Sequence, residues 1–286
     1  MLALEGVSYT YRSHEGDVTA LKPLDLTIED GTFLGIIGHT GSGKSTLLQL
    51  MCGLLSPSSG RVVVDGENIA DKRVRNRLHL KIGMAFQYPE YQLFAPTVAE
   101  DIAFGPRNAG LSATEVDKRV RLAMERLRLG YERFAHASPF ELSGGEKRRA
   151  ALAGVIATDP KLLILDEPTA GLDPAGRSEL LGIIEEFNRS GMTLVMVSHS
   201  MDDIARLANR VLVLKDGAAV MQGTPTEVFG RGDFLRSINL GVPQATEFAA
   251  ELRAQGFPLP EGLLTLETLA SAIAHELESG SVSRGI

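Results

Sequence analysis

The most chemically pointed stretch of the sequence is a run of Gly38, His39, Thr40, Gly41, Ser42, Gly43, Lys44 and Ser45, which matches the pattern G-x-x-x-x-G-K-[ST]. Glycines so placed let the backbone turn tightly enough that successive N–H groups point inward, and a helix beginning there adds partial positive charge, so the run suits a row of phosphates. In that arrangement Lys44 holds β- and γ-phosphates, Ser45 offers its hydroxyl to Mg²⁺, and Thr46 joins them at the helix start. Farther on, an apolar stretch at 162–165 ends in Asp166 and Glu167. At a strand tip downstream of a phosphate cradle, Asp166 would hold Mg²⁺ through water and Glu167 would polarise an attacking water; alone, such a pair is also a solvated strand end. Between these lie Leu142, Ser143, Gly144, Gly145 and Glu146. Ser143 and Glu146 have capping-box spacing, yet capping does not account for two glycines, which leave N–H groups open to something approaching closely.

Residues 33–37 form an apolar run before the glycine-rich stretch, and 46–54 carry a helical pattern after it, the strand–loop–helix context that this chemistry needs. The opening predicts strands at 2–9 and at 24–29, where Leu24, Leu26 and Ile28 alternate. A strand at 61–64 meets the hairpin dipeptide Asp65-Gly66, and another apolar stretch covers 82–86. From 97 to 158 the pattern is mostly helical. One helix there begins with the capping pair Ser112 and Glu115, lines up Val116, Val120, Ala123, Met124 and Leu127, and is expected to stop at Gly130. The runs 162–165 and 193–197, separated by a helix at 177–188, predict parallel buried strands with a crossover. After Asp216-Gly217, helices are expected at 245–255 and at 266–278, the second with Leu266, Leu269, Ala270, Ile273 and Leu277 on one stripe. The expected division is a domain over 1–233, with a helical subdomain at about 95–160, and an appendage over 234–286.

The chain has 286 residues, 44% hydrophobic and 23% charged, which is ordinary for a globular protein and argues against disorder. No apolar run approaches the ~20 residues that span a bilayer, and the first residues read as a strand rather than a signal peptide. A net charge of -7 and the lack of tryptophan argue against nucleic acid as a partner. The lone Cys52 can form no internal disulfide and reads as a small buried hydrophobe.

Taken together, these motifs resemble the ABC ATPase family over about 2–229. The resemblance implies an α/β nucleotide-binding domain: a P-loop core on a mostly parallel sheet, an antiparallel β subdomain and a helical subdomain, here with a small helical C-terminal appendage. It implies ATP and Mg²⁺ as cofactors. Ser143, Gly144, Gly145 and Glu146 resemble the LSGGQ signature that grips the γ-phosphate of ATP held by a second subunit, so two cassettes must close face to face. Glu146 departs from the usual Gln; reduced rather than abolished turnover is the most this change should bring. Gln87 looks like the family's glutamine that reaches Mg²⁺ and the attacking water, and His199 like its γ-phosphate-contacting histidine. The loop of Ala170, Gly171, Leu172 and Asp173 resembles the one lining the subunit interface, and Tyr11 the aromatic that stacks on adenine, with Tyr9 close by as an alternative. The implied catalytic set is Glu167, His199 and Gln87; the implied metal set is Ser45, Gln87 and Asp166.

Residues 86–94, Thr97-Val98 and 138–142 further resemble ATPases of energy-coupling-factor (ECF) transporters, as does the ending from Gly241. This implies ATP hydrolysis coupled to uptake of a vitamin or a transition-metal ion. The implied partners are a second cassette (a paralogue or this chain itself), a membrane scaffold protein and a substrate-binding integral membrane component, with the chain at the cytoplasmic face. An ATPase of an ordinary ABC importer and a soluble ABC ATPase outside transport are the alternatives; a switch without turnover would be expected to lack Glu167 or Lys44. Tyr88, Tyr91, Leu93 and Phe94 either dock the scaffold or pack between the sheet and the helical subdomain. Leu266, Leu269 and Ile273 are candidates for contact between the two cassettes.

Overall fold

The computed structural model describes residues 1–14 and 16–278. The chain opens with the antiparallel pair β1 (Leu2–Tyr11) and β2 (Val18–Ile28), and β3 (Phe33–Ile37) then feeds helix α1 (Lys44–Met51). Strands β4 (Ser59–Val64) and β5 (Glu67–Asn68), the short helix α2 (Lys72–Arg75) and β6 (Ile82–Ala85) follow. Next come α3 (Val98–Asn108), α4 (Ala113–Arg126), α5 (Tyr131–Phe134) and α6 (Gly144–Ile156). Strand β7 (Leu162–Asp166), α7 (Pro174–Arg189), β8 (Thr193–Val197), α8 (Met201–Leu207), β9 (Arg210–Lys215) and β10 (Ala218–Gly223) complete the sheets. The chain then runs through α9 (Pro225–Phe229), α10 (Gly232–Ser237), α11 (Gln244–Ala254) and α12 (Leu266–Glu278).

Two sheets result. One is four-stranded in the order β2-β1-β4-β5, antiparallel throughout; the other is six-stranded in the order β10-β9-β3-β8-β7-β6, with only the β10–β9 pair antiparallel. The central strands look continuously apolar in sequence because both their faces are covered, and successive side chains divide between two cores. Phe33, Leu163, Leu194 and Val211 point to the core shared with helices α3, α4, α6 and α7. Their neighbours Leu34, Ile164, Val195 and Leu212 point to the core beneath the antiparallel sheet and α1. The Asp65-Gly66 and Asp216-Gly217 turns are both hairpins with positive φ at each central residue (51° and 81°; 49° and 76°), the twist that two-residue loops require.

Some boundaries differ from those expected. The helix after the glycine-rich run ends at Met51 rather than 54, because Gly53 leaves the helix at φ 70°. Helix α4 stops at Arg126, before Gly130: Arg128 takes φ 55°, and Gly130 instead precedes α5. Of the stripe on α12 only Leu269 is buried, joining Ala245, Ala249, Leu259 and Leu263 in a small third core. Leu266 and Leu277 are exposed. Leu235, Ile238 and Leu240, by contrast, pack into the core of the large sheet.

Candidate active site

Parallel strands place their C-terminal ends on one side, and the residues that follow β3, β6, β7 and β8 meet there, as ligand sites of α/β sheets do. They line a cleft of about 570 Å³. On its floor is the loop between β3 and α1. Gly43 sits at φ 101°, where a Cβ would lie 2.6 Å from the Ala20 carbonyl oxygen, so only glycine lets the loop press against β2. The β9–β10 turn supports the loop from outside: the Gly217 N–H donates to the Ser42 carbonyl at 3.2 Å, and Asp216 Oδ1 lies 3.3 Å from His39 Nε2. Gly38 and Ser42 are buried beneath, where the Ser42 hydroxyl fills the space a Gly38 Cβ would need.

Lys44 is almost wholly buried, and its ammonium donates to the Gly38 and His39 carbonyls at 2.7 and 3.0 Å. Burial lowers its pKa, and the carboxylates of Glu167 and Asp166 oppose that shift. The Ser45 hydroxyl donates to Asp166 Oδ2 at 3.4 Å, which brings two hard oxygens together. Burial raises the Asp166 carboxyl, with Ser45 and Lys44 pulling the other way. Glu167 departs from the strand at φ 50°, in the left-handed region that side chains enter at a cost. Its carboxyl is raised by burial and partly restored by His199, whose backbone N–H donates to Oε2 at 3.4 Å and whose Nε2 lies 3.3 Å from Oε1. Gln87 lines the same cleft. Among the described residues, no cluster of three or more His, Cys, Asp or Glu could hold a metal alone. The Ser45–Asp166 pair suits an ion that also takes oxygens from a phosphate chain, as Mg²⁺ does.

Tyr11 stands at the rim. Its hydroxyl is 3.3 Å from Thr46 Oγ1, and its ring meets Tyr9 edge-on with centroids 4.8 Å apart. Thr40 and Gly41 line the cleft with it, as do Val18, Thr19 and Ala20, which carried no sequence signal because a β-strand wall has no motif. Ser143, Gly144, Gly145 and Glu146 do not line this cleft. Ser143 caps α6 in a full capping box: its N–H donates to Glu146 Oε2 at 2.9 Å and its hydroxyl to the same oxygen at 2.7 Å, which lowers the Glu146 carboxyl. Both glycines have open space where a Cβ would stand. The signature thus presents a preorganised helix N-terminus that is not directed at this chain's own cleft.

Beyond Gln87, Tyr88 turns at φ 56° and the chain runs over the surface. Tyr91 is 83% exposed and Phe94 61%, whereas Leu93 is buried and so does not share the surface expected of it. Phe104 of α3 completes the patch by an edge-on contact with Phe94, centroids 5.1 Å apart, a neighbour that a linear reading of 88–94 could not supply.

A family model described as "ABC transporter" matches residues 21–170. The chain is 52% identical over 256 residues to an energy-coupling factor transporter ATP-binding protein, EcfA2, of Clostridium perfringens, covering 89% of this chain and 90% of that protein. It is also 52% identical over 276 residues to the EcfA2 of Symbiobacterium thermophilum, covering 95% of each. The chain belongs to the ABC transporter family. This ABC ATPase resembles cbiO1 of Clostridium perfringens, described as part of the ABC transporter complex cbiONQ, at TM-score 0.72 and 38% identity over 83% of this chain and 94% of that one. It also resembles an ATP-binding cassette solved as a dimer in a post-hydrolysis state with ADP and Pi, at TM-score 0.70 and 31% identity over 79% of this chain and 99% of that one. It is an ATP-binding and ATP-hydrolysing transport subunit of the energy-coupling-factor type. No helix of the described part of this ABC ATPase is long and apolar enough to cross a membrane.

Proposed function

We propose that ATP bound in the cleft is hydrolysed by Glu167 once a second cassette closes over it, and that the closure drives uptake through a membrane scaffold. The observation that carries this is the separation of the two half-sites: Lys44, Asp166, Glu167 and His199 share one cleft, while the open N-terminus of α6 lies outside it. A phosphate-binding helix end without a phosphate site of its own calls for a partner's.

In this reading Tyr11 stacks on adenine, and the N–H groups of the loop between β3 and α1, with Lys44, hold the phosphates. Mg²⁺ would be held by Ser45, by Asp166 through water and by Gln87; when bound, it neutralises charge building on the phosphates. Glu167 accepts the proton of the attacking water, and burial raises its carboxyl, which makes it a stronger base than a free glutamate. His199 is positioned by Glu167 to face the γ-phosphate. The partner's signature completes the site.

The exposed aromatic patch of Tyr88, Tyr91, Phe94 and Phe104 is the docking surface for scaffold helices, since an apolar patch of this kind marks an interaction site. An integral membrane component supplies the substrate, a vitamin or a transition-metal ion, and the chain works as a peripheral subunit at the cytoplasmic face. The partner cassette is a paralogue or a second copy. Residues 1–233 form the ATPase domain and the rest an appendage, anchored by Leu235, Ile238 and Leu240. A dilution series of ATPase activity tests the composite site: specific activity must fall as the cassettes dissociate, and a flat profile at high activity would contradict it. Copurification with detergent-solubilised membrane partners tests the assembly.

A further inference from the structure

Arg148 lies on α6 between the basic residues Lys147 and Arg149, yet its side chain is only 3% exposed. The guanidinium has partners from two distant segments. Nε lies 2.6 Å from Glu90 Oε2, and Nη2 donates to Glu90 Oε1 at 2.9 Å. Nη1 donates to the Pro168 carbonyl at 2.7 Å, and Nη2 also donates to the Ala170 carbonyl at 2.9 Å. Its charged carbon stands 5.5 Å from the Tyr88 ring centroid, within cation–π range. Glu90 therefore sits on the exposed aromatic segment, and Pro168 directly follows Glu167.

We propose that Arg148 is a positioning residue that couples the 88–94 segment to the loop after Glu167, so that displacement of the segment moves the hydrolytic carboxylate and the 170–173 loop. A guanidinium is a rigid planar fork whose donors stay fixed relative to one another. Held at one end by an ion pair and one hydrogen bond to Glu90, and at the other by two carbonyls, it passes on a shift instead of absorbing it. Lysine, a point charge on a flexible stem, would keep the charge and lose this rigidity. The source of the movement rests on the docking role proposed above for the segment; the link between Glu90 and the loop does not.

The test uses the full chain and two conservative variants, Glu90→Gln and Arg148→Lys. Within the loop, the Ala170 N–H donates to the Glu167 carbonyl and the Leu172 N–H to that of Thr169, so amide exchange over 169–173 reports the loop's hold. Both variants should speed that exchange about tenfold, the size expected when a charged hydrogen bond is lost. In the assembled transporter both should lower kcat about tenfold while the KM for ATP stays within about twofold. Melting temperature and ATP affinity lowered in parallel, without the kcat and KM split, would mean a purely structural role and overturn the proposal. Unchanged exchange in Glu90→Gln would also overturn it, as would faster exchange with native kcat. If exchange and kcat respond as expected but Tyr91→Asp still assembles and transports, the docking reading fails while the coupling by Arg148 stands.

Discussion

His199 flanks both oxygens of Glu167: its backbone N–H donates to one carboxylate oxygen at 3.4 Å, and its ring Nε2 lies 3.3 Å from the other. This fixes the carboxylate in the cleft although burial favours its neutral form. Glu167→Gln should slow hydrolysis by ~10² or more, leave ATP affinity largely intact and trap a closed dimer. Single-turnover assays showing near-native hydrolysis would remove Glu167 as the base.

The same pKa shift has a sign that melting curves can read. A carboxyl raised above its ordinary 4.5 in the folded state contributes its full stability below that pH and loses it as pH rises through the folded value. Near neutrality the ionised group is a burden on the fold. Glu167→Gln should therefore melt above the native chain at pH 7 to 8, the gap closing as pH falls toward 4.5. A gap that widens on acidification would contradict the burial argument.

Lys44→Ala should raise the Kd for ATP about a hundredfold, because it removes a charged partner of the phosphates. Isothermal titration of the purified chain measures this directly, and unchanged affinity would count against the phosphate cradle.

Gly145→Asp separates the two jobs of the signature. Nothing stands within 4 Å of a Cβ there, and an acid in the first turn suits a helix N-terminus. The variant should melt with the native chain and bind ATP as well, yet lose at least ~10² in turnover because a carboxylate now meets the partner's γ-phosphate. Retained turnover would mean that the motif only caps α6.

Tyr91→Asp and Phe94→Asp should fold and bind ATP but fail to pull down the membrane partners, since both rings face solvent. Leu93→Asp, at a buried site, should unfold instead. If Tyr91→Asp and Phe94→Asp both assemble and transport normally, the docking surface lies elsewhere.

On α12, Leu269→Ala should destabilise the appendage by about 2–5 kcal/mol, as a leucine deletion in a core does. Leu266→Asp should leave melting unchanged and weaken association of the cassettes, read by sedimentation. The reverse pattern would exclude Leu266 from any contact.

Local chemistry decided much of this protein within its sequence. The glycine-rich run, the strand ending in Asp166 and Glu167, and the Ser143–Glu146 box each act through neighbours a few residues away, so spacing alone carries them. Strands buried on both faces were legible for the same reason: a short uninterrupted apolar run has few other homes. What depended on packing was not legible. Leu93 and Phe94 are adjacent and both apolar, yet one is core and the other surface; Leu269 and Leu266 share a helix stripe and part in the same way. Arg148 is the sharpest case, because its burial comes from Glu90 and the 168–170 carbonyls, which the fold brings to it across 58 and about 20 residues of chain. Sequence spacing assigns a residue its chemistry and its local geometry, whereas the partners of a long side chain are set by where distant segments come to rest.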